Sequence, residues 1–127
     1  MKHYVMREVD FQHADVRGFL TQLVHEGWAQ INVLESKKGA TRGAHFHKTS
    51  HEAFYVISGS VDVKFIASDG EENVTFKKGD FFEIYPDVLH NMYFPEDCLM
   101  VQMYDIPVER TDGSKDIFTE DEFKCVK

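Results

Sequence analysis

The chain reads as an all-β domain, a sandwich or small barrel built from six to nine short strands. Three observations predict it. Short apolar runs recur from end to end, broken by Gly, Asp, Asn and Pro. In "VDVKF" the alternation is strict, with Val61, Val63 and Phe65 on one face and Asp62 and Lys64 on the other. Eleven Phe, five Tyr and one Trp among 127 residues suit half-buried pleated surfaces.

Taken in order, the elements begin with a weak helix signal. In "VRGFLTQLVHEGW" apolar residues at 16, 19, 20, 23 and 24 come close to helical spacing, although Gly18 counts against a helix. "GWAQINVLES" (27–36) alternates and runs into the turn "KKGATRG". "HEAFYVIS" and "VDVKF" follow as strands, and "ASDGEEN" (67–73) reads as a hairpin turn around Asp-Gly. "NVTF" and "FFEIY" are strands separated by the turn "KKGD", and "DCLMVQMYDI" (97–106) is the last strand, punctuated by Pro107. The acidic "DIFTEDEFKCVK" reads as a solvated tail in preference to a short terminal helix. The expectation is one domain over residues 1–127, with a barrel core at about 27–107 and a tail or short helix at 108–127.

A net charge of −8 argues against nucleic acid or an anionic membrane surface as the main partner. A phosphorylated ligand would need a few locally placed basic residues. Cys98 and Cys125 form no CxxC and read as unpaired thiols of a reducing cytosol. The N-terminus has no apolar signal region and no 18-residue apolar run occurs, so no membrane span is expected and the localisation expected is cytoplasmic.

The chemistry concentrates in "GAHFHKTSHE" (43–52). On a strand, His45 and His47 share a face, about 6–7 Å apart, with Phe46 opposite. Glu52 begins the next strand after the turn "KTSH" and lies beside the pair if the two strands are neighbours. His90 arrives from elsewhere in the chain. Three imidazoles and a carboxylate suit a divalent transition metal (zinc, nickel, iron, manganese or cobalt), and the donors alone do not choose among them. An HxH pair by itself is more often a surface feature. His51 has the opposite pleat parity and is expected outside the cage, and His3, His13 and His25 have no partners at ligand spacing.

The spacing Gly39-x5-His45-x-His47-x4-Glu52-x6-Gly59 resembles the first motif of the cupin superfamily at every fixed position. The second cupin motif, G-x5-P-x-G-x2-H-x3-N, keeps Gly79 and His90, while Tyr85, Asp87 and Phe94 stand at its Pro, Gly and Asn places. That puts the turn before His90 in question, not the ligand. The resemblance implies a double-stranded β-helix, the cupin or jelly-roll barrel. It also implies a divalent metal held by His45, His47, Glu52 and His90, and pairing into a homodimer through exposed strands.

Two shorter pieces are similar to cupin-type nucleotide-sugar epimerases and ketoisomerases: "ADVRGFLTQL" (14–23) to their D-x-R-G opening and "TRGAHFH" (41–47) to their R-G-x-H signature. This second resemblance implies His45 as the base that removes a proton beside a ketone and Arg17 as a contact to the nucleotide phosphates, a task suited to a bidentate guanidinium. Glu52 stands where the 3,5-epimerases carry a catalytic Lys, and the 3,4-ketoisomerases usually lack a ligating Glu. A sugar-enzyme signature with a complete metal set is most similar to the cupin domain of capsular-polysaccharide epimerases. The substrate expected is a small molecule, a nucleotide-linked 4-keto-6-deoxy sugar of surface-polysaccharide synthesis. His45 cannot use one nitrogen both to ligate and to take a proton, so it is either ligand or base. Gln102 and Tyr104 share a face of the last strand, Tyr104 as a candidate general acid and Gln102 as a candidate substrate contact, with packing the plain alternative. Arg42 is either a substrate contact or a cover over the barrel mouth. The competing readings are an Fe(II)-dependent dioxygenase and a non-enzymatic sugar-binding cupin.

Overall fold

A computed structural model describes residues 2–125, and the Cys125 side chain lies outside the described part. Consecutive segments cross repeatedly between two facing antiparallel sheets, the winding of a jelly-roll barrel. The first sheet carries β1 (Tyr4–Met6), β9 (Phe81–Ile84), β6 (Glu52–Ser58), β11 (Cys98–Tyr104) and β4 (Gln30–Ser36), in that order. The second carries β12 (Phe118–Thr119), β5 (Thr41–Phe46), β10 (Leu89–Tyr93), β7 (Ser60–Ala67) and β8 (Gly70–Lys77). The double-stranded β-helix expected from the motifs is the fold observed.

Alternation supplies the core. Val61, Val63 and Phe65 of β7, Phe76 of β8 and Met92 of β10 face Phe54 and Val56 of β6, Phe82 and Ile84 of β9 and Met100 of β11. Residues 23–28 cover part of the outer face of the first sheet, where Leu23, Val24 and Trp28 lie on Ala53, Phe81 and Met103. The remainder of that face leaves Ile31 and Val33 exposed.

Two stretches differ from the reading of the sequence. Residues 16–28 are no helix: β2 (Phe11–Asp15) and β3 (Gly18–Gln22) form a separate hairpin, and residues 23–28 follow it without helical structure. The two-residue tip Val16–Arg17 is closed by Asp15, whose carboxylate accepts from the Arg17 amide at 2.9 Å, and Gly18 takes φ 127°. The apolar pattern that resembled a helix face is divided: Val16, Phe19 and Leu20 are exposed on the hairpin, and Leu23 and Val24 pack on the first sheet. The C-terminal stretch, read as a solvated tail, is ordered. β12 pairs with β5, α1 (Glu120–Cys125) follows, and Phe118 and Phe123 pack on Phe46 and Leu89. Thr119 and Glu122 cap the helix reciprocally, the Thr119 amide on Glu122 Oε1 at 3.1 Å and the Glu122 amide on Thr119 Oγ1 at 3.3 Å.

Candidate functional site

The strand that carries the two histidines is bent by design. Ala44 sits at φ 59°, in the left-handed region, and the pairing of β5 with β10 slips there, matching His90 with His45 and Asn91 with Gly43. Gly43 makes the slip possible, because a Cβ at that position would stand 2.8 Å from the His90 carbonyl oxygen. His90, distant in sequence, is therefore the direct cross-strand partner of His45. The turn before His90 holds its shape without the motif's glycine. Asp87 takes φ 65°, a conformation Asp tolerates, and its amide donates to the His47 carbonyl at 2.7 Å.

Glu52 arrives by a different route from the one the sequence suggested. β6 and β5 are not neighbours; they belong to opposite sheets, and Glu52 reaches the histidines across the barrel interior. One ligand atom from each of His45, His47, Glu52 and His90 lies within 4.8 Å of the others. Glu52, His47 and His90 are buried, and His45 is half-buried at the cavity wall.

The two carboxylate oxygens of Glu52 have separate surroundings. Oε2 accepts from Gln102 Nε2 at 2.6 Å and from the Tyr104 hydroxyl at 2.9 Å. Asn32 fixes the Gln102 amide by donating to its Oε1 at 2.9 Å. Oε1 faces His47 Nε2 at 3.1 Å and His90 Nε2 at 3.0 Å. On the far side of each ring, Nδ1 meets a main-chain carbonyl, Asp116 O for His47 at 2.6 Å and Val88 O for His90 at 3.1 Å. A carbonyl only accepts, so Nδ1 carries a proton and Nε2 is the nitrogen aimed at Glu52 Oε1. Two imidazole nitrogens and a carboxylate oxygen thus meet at one point, and His90 Nε2 is buried without a hydrogen-bond partner. The donor set, with both outer nitrogens tied to carbonyls, fits a divalent metal.

The electrostatics follow from this packing. Burial pushes the Glu52 carboxyl up, but the imidazoles of His90 and His47 outweigh it and hold it well below the usual range. For His47, burial pulls down and the Glu52 carboxylate more than compensates, raising the imidazole. His45 is pushed down to about 4 by burial, helped by His90 and His47, so its ring is neutral at pH 7. Burial, followed by the Glu52 charge, raises the Tyr104 hydroxyl, which stays a proton donor to Glu52.

A cavity of about 420 Å³ opens onto this cluster, lined by Arg42, His45, Glu52, His90 and Gln102 among others. Arg42 lines the wall while donating to Ser36 Oγ at 2.8 Å and to the Glu35 carbonyl at 3.1 Å. The structure gathers His45, His47, Glu52, His90, Arg42, Gln102 and Tyr104. Tyr104, expected as a general acid, points at Glu52 and is absent from the cavity wall. Arg17 is not gathered: it stands at the hairpin tip, with its side chain 84% exposed and paired to Asp15. His51 bonds Glu83 at 2.7 Å on the outer side of the sheet, as its parity implied. Asn32 and Asp116 were missed. Nothing local in sequence marks either, since both act through pairings with residues about 70 positions away.

The pattern of the family described as "Polysaccharide biosynthesis C-terminal domain" matches residues 13–104. No curated protein sequence matches the chain. Solved structures share the fold. A mutant of the 3,4-ketoisomerase QdtA from Thermoanaerobacterium thermosaccharolyticum, in complex with TDP-4-keto-6-deoxyglucose, is 21% identical, with a TM-score of 0.78 over 98% of this chain and 96% of that one. A 3,4-ketoisomerase from Helicobacter canadensis is 17% identical, with a TM-score of 0.80 over 97% of this chain and 96% of that one. The capsular polysaccharide assembling protein CapF from Staphylococcus aureus is 23% identical, with a TM-score of 0.61 over 86% of this chain and 32% of that one.

Proposed function

Since the chain belongs to the polysaccharide biosynthesis C-terminal domain family, we propose that it is an epimerase or ketoisomerase of a nucleotide-linked 4-keto-6-deoxy sugar. The observation that carries this reading is His45: a neutral imidazole on the wall of a cavity, backed by a buried carboxylate and two more imidazoles. Sugar-nucleotide isomerases and an assembling protein of capsular polysaccharide share the fold and support the substrate class.

The first chemical step is the same for both reactions. The C–H bond beside the ketone breaks, its electron pair moves toward the ketone oxygen, and the proton goes to a base. A neutral imidazole keeps one ring nitrogen without a hydrogen, and that nitrogen of His45 can accept the proton. Delivery of a proton to the same carbon from the other face completes an epimerisation; delivery to the former ketone carbon, with the proton of the neighbouring hydroxyl passing to the former ketone oxygen, completes a ketoisomerisation.

His47, Glu52 and His90 would hold a divalent metal, with His45 as fourth ligand or as base. Such an ion supplies Lewis-acid polarisation of the ketone. Gln102 and Tyr104 restrain Glu52 by binding Oε2, which leaves Oε1 facing His47 and His90 as the oxygen that would serve as ligand. Arg42, on the cavity wall, is placed to contact the sugar or its diphosphate. A homodimer belongs to the same reading, supported by Phe19, Leu20, Ile31 and Val33, which a single copy leaves exposed.

The test is solvent deuterium exchange at the carbon beside the ketone, across TDP- and UDP-linked 4-keto-6-deoxy sugars. Exchange is expected with at least one of them. Oxygen consumption by the iron-loaded protein without exchange would replace this reading with a dioxygenase. Tight sugar binding without exchange or oxygen uptake would replace it with a binding protein.

A further inference from the structure

We propose that Asp116 is a positioning residue of the His–Glu cluster, holding the His47 ring and the loop that leads to Glu52 through two different groups of one residue. Its main-chain carbonyl accepts the Nδ1–H of His47 at 2.6 Å. Its carboxylate accepts three successive amides of the connecting loop: Lys48 on Oδ1 at 2.8 Å, and Thr49 and Ser50 on Oδ2 at 2.9 and 2.7 Å. Arg110 Nη2 approaches Oδ2 at 3.3 Å, and the Asp116 amide is itself fixed on the Val108 carbonyl at 2.8 Å. The residue is buried.

This grip has a specific consequence. His47 and Glu52 are separated only by residues 48–51, so the loop sets how far apart their side chains start. An anionic acceptor shared by three consecutive N–H groups makes that loop rigid. With the loop anchored to Asp116, the carbonyl of the same residue is held within reach of the His47 ring. The carbonyl requires a hydrogen on Nδ1, which fixes the ring with Nε2 turned onto Glu52 Oε1 at 3.1 Å. Residues 108–119 thereby become part of the site, although they follow the barrel in sequence and contribute no side chain to the cavity wall. The effect on metal binding rests on the function proposed above; the effect on the tautomer does not.

Asp116→Asn in the full chain tests this. The amide keeps one acceptor but turns an NH2 donor toward a main-chain amide, so the loop must shift away. Two readouts are taken: the tautomer of His47 from 15N–13C NMR of histidine-labelled protein, and Zn(II) affinity by titration. Wild-type His47 is expected as a single Nδ1–H tautomer, and Asp116→Asn as a mixture. Zinc affinity is expected to fall about 10–100-fold, as when the outer partner of a ligating His is lost. A folded Asp116→Asn with an unchanged His47 tautomer overturns the proposal. If that variant does not fold, Asp116→Glu, which keeps the charge on a longer stem, is read by the same criterion. Should the wild-type chain take no zinc, the metal reading fails, while the tautomer still decides for or against Asp116.

Discussion

The His–Glu cluster and the β2–β3 hairpin both carry residues singled out by short motifs, yet the fold treats them in opposite ways. In the cluster, His47, Glu52 and His90 are buried, and each has its orientation set by a second group: Asp116 O, Gln102 with Tyr104, and Val88 O. On the hairpin, Arg17 holds only Asp15, two residues away, and its side chain is 84% exposed. A buried polar group must be paired or it costs free energy, so its partners specify one geometry. An exposed charge exchanges water for a neighbour at little gain and keeps its freedom. The cluster is thus preorganised within one copy of the chain, and the hairpin is a projecting arm with apolar Phe19 and Leu20 beside its cation.

The contrast is tested most severely at Glu52. Glu52→Gln removes the anion that faces the Nε2 atoms of His47 and His90. Zn(II) affinity, read by competition with a chelator, is expected to fall by more than the roughly 100-fold that loss of a ligand's outer partner costs. Deuterium exchange should fall about a thousandfold or more, within the usual range for acid–base machinery. Retained metal and exchange in Glu52→Gln would mean that the cluster is packing and not a site.

Gly59 comes next, because the barrel that holds the cluster depends on it. It sits at φ 81°, and an added Cβ would stand 2.1 Å from the Asp97 carbonyl oxygen. Gly59→Ala is expected to cost at least the 1–3 kcal/mol typical of a strained backbone position, about, read from urea denaturation. A milder loss would show that the β6–β7 turn yields more readily than the site it supports.

His45 separates ligand from base. In His45→Asn, lost exchange with retained metal makes it the base; loss of metal in both His45→Asn and Glu52→Gln makes it a ligand. Its pH signature has a definite sign. The folded value, about 4, lies below the ordinary 6.5, so as pH falls the unfolded chain takes up this proton first. Stability from this group is full above pH 6.5 and declines toward pH 4, and His45→Asn should lose that part of the acid sensitivity in thermal melts. As a base neutral down to about pH 4, His45 also predicts an exchange profile with no acid limb near 6.5. The smallest effect is expected at the hairpin. Arg17→Ala should leave melting temperature and zinc affinity unchanged. A rise in KM for the nucleotide sugar at unchanged kcat would sharpen the contrast, by placing the arm at substrate bound to another copy. Lost zinc would break it.

Much of this was legible, and the reasons differ by residue. His45, His47, Glu52 and His90 were found by spacing, because a barrel that winds between two sheets brings fixed chain positions to one interior point. The route of Glu52 was not legible: alternation states which face a residue takes, not which sheet its strand joins. Residues 16–28 misled because apolar positions near helical spacing also fit a ribbon followed by a packed segment, and only the Asp15 turn and Gly18 chose between them. The terminal helix had a readable signal in Thr119-x-x-Glu122, outweighed by the acidity around it. Asp116 and Asn32 had none.

By itself the sequence determined the all-β class, the inward face of β7 and the four donors with their order along the chain. Each of those properties is carried by local periodicity or fixed spacing, which short-range sterics enforce. Only the tertiary structure decided that Glu52 divides its oxygens between an imidazole pair and the Gln102–Tyr104 pair, that Asp87 replaces a turn glycine, that Arg17 stays outside the cavity, and that the chain after the barrel returns to grip His47. Those outcomes depend on which buried groups find partners across long loops, and pairing of that kind is settled by the packed interior as a whole.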